Sequence, residues 1–139
     1  ASVIACKAGC SACCHIQVEI HEAEARLIGD AAGRKPRQLP PGRHTTPAKQ
    51  LGNQNTPCTF LDQGKCSIYE HRPFVCRDMA VLDVDALTCS FENMYLERMN
   101  DPRAVLVPEL KMPPLRQALL EILQGSRSGA WADIRQFFP

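Results

Sequence analysis

The stretch CKAGCSACC, residues 6–14, places four of the chain's eight cysteines within nine residues. The spacing is C-x3-C-x2-C-C, and the intervening residues are mostly small, so the backbone can wrap closely round an ion. Adjacent side chains such as those of Cys13 and Cys14 generally point in different directions. We therefore expect them to serve different metal sites or one polynuclear site.

A second cysteine-rich stretch, PCTFLDQGKCSIYEHRPFVCR, covers residues 57–77. The turn residues at 62–64 predict a tight hairpin that brings Cys58 towards Cys66. We expect a further ligand loop to end at Cys76.

The clustered cysteines favour metal binding over disulfides. Four cysteines this close leave few bridges of acceptable geometry, and thiolates are soft ligands that suit zinc, cuprous copper and iron–sulfur clusters. The predicted cofactor is a zinc or iron ion, and an iron–sulfur cluster is the alternative cofactor. A secreted disulfide scaffold, which binds no metal, also stays open. The predicted metal ligands are all eight cysteines: Cys6, Cys10, Cys13, Cys14, Cys58, Cys66, Cys76 and Cys89.

Neither stretch has the paired C-x2-C spacing of a self-contained four-ligand zinc ribbon, so each is expected to need sulfurs from the other. We predict a shared centre in which Cys6 and Cys89 are the weaker candidates. The stronger candidates are Cys10, Cys13 and Cys14 from the first stretch and Cys58, Cys66 and Cys76 from the second.

Other side chains near the cysteines have two interpretations each. His15 and His21 are of a type that can replace a thiolate, but a polar surface position and a helix cap are the favoured roles. Arg72 and Arg77 lie close to Cys76 in the sequence, where a cation either offsets thiolate charge or forms a structural pair. Lys7 is expected to be solvated.

The two stretches resemble the YkgJ-type cysteine cluster proteins, a family named for a CxxCxxCC motif and described as zinc- or iron-chelating. The resemblance covers residues 6–89, and Cys6, Cys10, Cys13 and Cys14 look like the family's N-terminal cluster. One departure is the three residues between Cys6 and Cys10, where the family name implies two. The second block of the family is matched by Pro57, Cys58, Phe60, Leu61, Cys66, Ile68, Tyr69, Arg72, Pro73, Cys76 and Arg77. The resemblance implies a metal site without defining a biochemical role.

Apolar spacing predicts helices at 21–32, at 86–99 with Cys89 in the first turn, and at 114–124. The aromatic residues after 130 suggest a last short helix folded onto the body. We therefore expect a small, mainly α domain, with three or four helices and irregular or hairpin segments around a cysteine-rich metal centre.

The length of 139 residues predicts one domain, 1–139. Five prolines lie between 34 and 57 and predict a long loop that contributes little to the core and remains mobile. Residues 102–139 are expected to form a helical C-terminal extension.

Charge and motifs exclude several classes of function. The formal net charge is only +1, so no global field indicates a nucleic-acid partner, and no apolar run approaches the roughly 20 residues of a membrane span. Catalytic motifs such as a serine–histidine–acid pattern are absent from the sequence, so an enzyme is not favoured.

We expect a cytoplasmic metal-binding protein in a structural or metal-handling role, because a reducing cytosol preserves metal-bound thiolates. The expected partner is a metal ion, while an unknown protein partner stays open. The alternatives are an iron–sulfur electron-transfer or redox-sensing module and a metalloenzyme accessory.

Overall fold

The computed structural model describes residues 5–45, 56–82, 87–111, 113–125 and 128–139. Within these ranges the chain forms five α-helices and seven short strands. In chain order they are β1 (Glu19–His21), α1 (Glu22–Ala32), β2 (Gly42–Arg43), β3 (Leu61–Asp62), β4 (Lys65–Cys66), α2 (Phe74–Arg77), β5 (Met79–Val81), α3 (Phe91–Arg98), β6 (Glu109–Lys111), α4 (Pro113–Gly125), β7 (Ala130–Asp133) and α5 (Ile134–Phe137). Three 3-10 turns cover Ala12–His15, Tyr69–His71 and Leu87–Cys89.

The largest sheet has β7 as its central strand. β1 pairs with β7 in antiparallel orientation, with Ile20 opposite Ala132, and β2 pairs with its other edge in parallel, with Arg43 opposite Trp131. Two further antiparallel ladders join β3 to β4 and β5 to β6. The strand nearest the C-terminus thus holds together two strands from the first third of the chain.

The hydrophobic core lies between this sheet, α1 and α5. Phe137 and Phe138 are almost fully buried, and the Phe138 ring packs edge-on against Phe60 with centroids 5.0 Å apart. The remaining core residues are Val18, Ile20, Ala25, Ile28, Ile68, Ala130, Ala132 and Ile134. The last residues of the chain therefore contribute some of the largest side chains of the core.

Helix α1 confirms the predicted helix at 21–32. The His21 imidazole accepts a hydrogen bond from the backbone N–H of Ala23 and so caps the first turn. Gly33 ends the helix in the left-handed conformation, with φ +64°, which glycine adopts without steric cost. Ala25 and Ile28 form the buried face.

The expectation of a mainly α domain is wrong, because the described residues form a mixed α/β structure with three small sheets. Each strand is only two to four residues long, which is too short to produce a clear alternating pattern in the sequence. Two strands, β6 and β7, lie in the segment 102–139 that was expected to be helical.

The predicted helix at 86–99 is also shorter than expected. Residues Leu87–Cys89 form a 3-10 turn, and α3 begins only at Phe91, because the Ser90 hydroxyl caps it by accepting from the N–H of Asn93. The helix predicted at 114–124 is confirmed as α4.

The proline-rich segment is attached to the body over its first half. The Arg37 N–H donates to the Phe137 carbonyl, the His44 N–H donates to the Trp131 carbonyl, and Leu39 packs against the core. Residues 34–45 are thus attached to the body and contribute Leu39 beside the core, while the mobility expected of the segment stays a prediction. The part at 46–55 lies outside the described residues. Within the described parts of the chain, no helix combines the length and apolar character needed to cross a bilayer.

We predict that Phe137→Ala lowers the free energy of unfolding by about 3–5 kcal/mol, because it leaves a cavity in the core. The matched control is Ile122→Ala on α4, whose side chain is 71% exposed and whose loss should cost less than about 0.5 kcal/mol. Urea denaturation followed by circular dichroism measures both. Equal effects of the two substitutions would contradict the placement of the C-terminus in the core.

Candidate metal centre

All eight cysteines line two small adjoining cavities at the edge of the core. The cavity on the hairpin side, the hairpin compartment, has a volume of about 50 Å³, and the one nearer the N-terminus, the terminal compartment, about 80 Å³. Cys14, Cys58 and Cys66 line only the hairpin compartment. Cys6 and Cys89 line only the terminal compartment. Cys10, Cys13 and Cys76, here called the wall cysteines, line both.

The hairpin predicted between Cys58 and Cys66 is confirmed. Leu61 pairs with Cys66, and the turn residues Gln63 and Gly64 both have positive φ, 46° and 75°, as a tight two-residue hairpin turn requires. The thiols of Cys58 and Cys66 pack against the core.

The N-terminal loop meets the hairpin directly. Residues Ala12–His15 form a 3-10 turn, and the Cys14 carbonyl accepts a hydrogen bond of 2.6 Å from the N–H of Cys58. The two cysteine-rich stretches are thus joined by backbone as well as by the cavity that they line.

Cys76 reaches the cavity from α2. Arg72 precedes Pro73 and is extended, with φ −54° and ψ 146°, as the ring of the following proline favours. The short helix then begins at Phe74 and directs Cys76 towards the core and both compartments.

The two weaker candidates also lie at the site. The Cys6 sulfur accepts a 3.3 Å hydrogen bond from the N–H of Val81 in β5. Cys89 lies in the 3-10 turn before α3, and the buried Asn93 braces this turn by donating to the carbonyls of Thr88 and Val105.

A buried ion pair supports the cysteine loop from the opposite end of the chain. The Arg135 guanidinium contacts both carboxylate oxygens of Asp133, at 2.9 and 3.0 Å, and the Asp133 side chain is 1% exposed. Asp133 also accepts a 2.8 Å hydrogen bond from the N–H of Val18. The carboxylate therefore has both a charged and a backbone partner, as burial of a charge demands.

The same guanidinium donates to four backbone carbonyls of the cysteine-rich stretches. These are Cys14 and Ile16 in the N-terminal loop and Thr56 and Pro57 before the hairpin, at 3.1–3.2 Å. The sequence prediction missed Arg135, because it lies more than a hundred residues from the loop and next to no cysteine.

Cys13 and Cys14 have opposite electrostatic environments. The Cys14 thiol donates a hydrogen bond to the Cys13 sulfur, which lowers the pKa of Cys13, and the nearby Arg72 guanidinium lowers it further. The same hydrogen bond, together with burial, raises the pKa of Cys14. Of these two neighbouring thiols, Cys13 is therefore the one more readily present as thiolate.

Burial opposes ionisation of the deeper thiols. It raises the pKa of Cys10 and Cys58, and it raises that of Cys76 to about 12, with a smaller contribution from the charges of Cys13 and neighbouring thiols. A metal that binds these sulfurs must displace their protons, so acid should weaken binding.

Among Arg72, Arg77 and Lys7, Arg72 is the best placed to offset thiolate charge. It lines both compartments, donates to the Tyr69 carbonyl at 2.9 Å and stacks over the Tyr69 ring at 3.7 Å. Arg77 lines neither compartment, and its charge acts on Glu24. Lys7 is exposed but lines the terminal compartment.

The two histidines have other partners. Both ring nitrogens of His21 are engaged, since Nδ1 caps α1 and Nε2 donates to the Ser128 carbonyl at 3.2 Å. His15 bonds to the Ser11 carbonyl and packs edge-on against Phe91. Neither lines a cysteine compartment.

The thiols are chemically suited to zinc or iron, but their sulfur atoms do not converge on one position. None of the eight cysteines forms a disulfide. Yet among the described residues no three histidine, cysteine, aspartate or glutamate side chains converge closely enough to hold one ion. The thiols line shared cavities, so side-chain rotations and small loop shifts are what coordination would require.

Comparison with known families gives one match. A family model with the CxxCxxCC motif, described as "Putative zinc- or iron-chelating domain", matches residues 5–94, more than half of the chain. The match includes every cysteine and ends before β6, so Arg135 and Asp133 lie outside it. No curated protein and no solved structure gives a significant match.

We predict that Arg135→Gln lowers the free energy of unfolding by about 3–5 kcal/mol, because it leaves the Asp133 carboxylate buried without its charge partner. The matched control is Arg103→Gln, which removes an ion pair with Asp101 at the surface and should leave stability unchanged. Denaturant titration of both variants is the measurement. A stable Arg135→Gln variant would show that the guanidinium does not support the loop.

We also predict that iodoacetamide modifies Cys13 of the metal-free protein at pH 7 at least several-fold faster than Cys76, since the thiolate is the nucleophile. Cys14→Ala should slow this reaction by removing the hydrogen-bond donor, whereas Cys14→Ser should preserve it. Peptide mapping by mass spectrometry across pH measures the rates, and the rate at Cys13 should fall as pH falls through its lowered pKa, because less of the thiol is then ionised. Equal rates in all three proteins would contradict the role of Cys14.

Proposed function

We propose that this chain, which belongs to the CxxCxxCC family of zinc- or iron-chelating domains, binds zinc or iron through its eight cysteines, both to stabilise the domain and to handle the metal. The single observation that carries this proposal is the gathering of all eight thiols round two adjoining cavities. They come from segments as far apart as Cys6 and Cys89, so chance proximity in sequence does not account for it.

The size of the cavities supports an ion as the ligand. Their volumes of about 50 and 80 Å³ are far below the roughly 300–1,000 Å³ of pockets that hold small organic molecules. Three larger depressions, of about 370, 320 and 310 Å³, contain no cysteine. The thiols thus line the spaces suited to single ions.

The chain's own residues supply the sulfur ligands and the balancing charge. The candidate ligands are the wall cysteines with Cys14, Cys58 and Cys66 on one side and Cys6 and Cys89 on the other. Arg72 offsets thiolate charge from a position beside both compartments. A bound zinc or iron ion supplies a cross-link between the N-terminal loop and the hairpin.

The exposure of Cys13 supports metal handling as well as a structural role. Cys13 lines both compartments and is, as a residue, the most exposed of the eight cysteines, so an ion that enters from solvent can reach this position before Cys58, Cys66 and Cys76. Cys58, Cys66 and Cys76 pack against the core and are suited to holding the ion firmly.

The test is element analysis of the full chain purified without oxygen, with acid-labile sulfide and visible absorption measured on the same sample. Zinc or iron in stoichiometric amount without sulfide supports the proposal. Iron with equimolar sulfide favours an iron–sulfur redox module instead. Protein without metal whose denatured form has no free thiols would indicate a disulfide scaffold.

We predict that removal of the metal by a chelator lowers the thermal midpoint of unfolding by roughly 10–20 °C. An ion whose free concentration is about a thousand times its Kd contributes about 4 kcal/mol to the free energy of unfolding. Scanning calorimetry before and after chelation, with restoration by added metal, measures the effect. An unchanged midpoint and an unchanged circular dichroism spectrum after complete metal removal would contradict the coupling of metal and fold.

A further inference from the structure

We propose that the centre holds two metal ions in adjoining compartments, separated by Cys10, Cys13 and Cys76. This inference rests on the proposed function, because it specifies the number and arrangement of ions in a site that is itself proposed to bind metal. It assigns a separate ion to Cys6 and Cys89, the two cysteines that were the weaker candidates on spacing alone.

The first support is the way in which the cysteines divide between the compartments. Three thiols face only the hairpin compartment and two face only the terminal compartment, while the three wall cysteines face both. The wall cysteines come from the N-terminal loop and from α2, two segments that are far apart in the sequence.

The second support is ligand number. A structural zinc ion takes four ligands in a tetrahedron. The hairpin compartment needs one wall cysteine in addition to its own three, and the terminal compartment needs two in addition to its own two. Eight cysteines therefore complete two four-sulfur shells and none is left over.

The third support is the proximity of the thiols to one another. Cys10 lies near enough to both Cys6 and Cys13 for their charges to act on it. On the other side, Cys76 is affected in the same way by Cys13, Cys58 and Cys66. Electrostatic interactions between thiols therefore link the terminal compartment to the hairpin compartment through Cys10, Cys13 and Cys76.

The fourth support is the placement of positive charge. Two ions, each of charge +2 and each bound by four thiolates, leave a net negative charge that a nearby cation must offset. Arg72 lines both compartments, Lys7 lines the terminal one, and the charge of Arg135 acts on Cys58. The cations are thus distributed over both halves of the centre.

The test uses metal-free full-length chain loaded with excess Zn²⁺, freed of loose metal by gel filtration, and weighed by native mass spectrometry. We expect two ions in the wild type and one in the double variant Cys6→Ser/Cys89→Ser. We also expect one ion in Cys58→Ser/Cys66→Ser, since the terminal compartment keeps its own two cysteines and the wall. Loading with ¹¹³Cd²⁺ should give two NMR resonances in the wild type and one in each variant.

Each alternative result has a distinct meaning. One ion in the wild type, unchanged in Cys6→Ser/Cys89→Ser and absent from a folded Cys58→Ser/Cys66→Ser, overturns the two-ion proposal and leaves metal binding intact. Acid-labile sulfide in stoichiometric amount also overturns it, because the sulfurs then hold a cluster. No ion in the wild type overturns the proposed function itself. If Cys58→Ser/Cys66→Ser fails to fold, the wild type and the other variant still decide.

Discussion

The buried ion pair between Asp133 and Arg135 is the interaction on which the arrangement of the cysteines depends. Its guanidinium holds four backbone carbonyls that belong to the N-terminal loop and to the approach to the hairpin. Its carboxylate holds the N–H of Val18, one residue before β1. Two segments that share no strand are thereby fixed to the same end of β7 by a single pair of side chains.

A buried charged pair is costly to desolvate and adds little net stability by itself, but removing one partner is severe. Here the ion pair fixes the position of the N-terminal loop beside the hairpin. Carbonyl oxygens at the end of a loop have no strand to pair with, and an arginine offers five donors in a fixed plane to satisfy several of them together. The loop that carries Cys14 can therefore remain irregular, as a ligand loop must, and still have one defined place beside the hairpin.

The sequence predicted the features that depend on local chemistry. Gly33 ends α1 and the turn at 62–64 forms the hairpin because a backbone conformation requires those residues. The chemistry and spacing of the cysteines also predicted a shared metal centre, which stays a prediction, and the structure places all eight along two adjoining cavities. The sheet was missed because β1, β2 and β7 are joined by pairings across about a hundred residues, and strands of two to four residues carry no period of their own. Arg135 was missed for the same reason, since nothing local distinguishes it from a surface arginine.

The hydrophobic core and the metal centre thus stabilise different parts of the fold. Phe137, Phe138 and the strand pairs of β7 bury most of the apolar surface, and Cys58, Cys66 and Cys76 only pack against the margin of this core, so the sheet and α1 have a reason to form before metal arrives. The N-terminal loop has no such core of its own, and its fixed points are hydrogen bonds to Arg135, to Cys58 and to β5. Metal should therefore bind to a scaffold that is already folded. Its sulfur ligands already lie near one another, so binding needs only small movements of the loop. The free energy that ordering a loop would otherwise consume is in that case available for affinity.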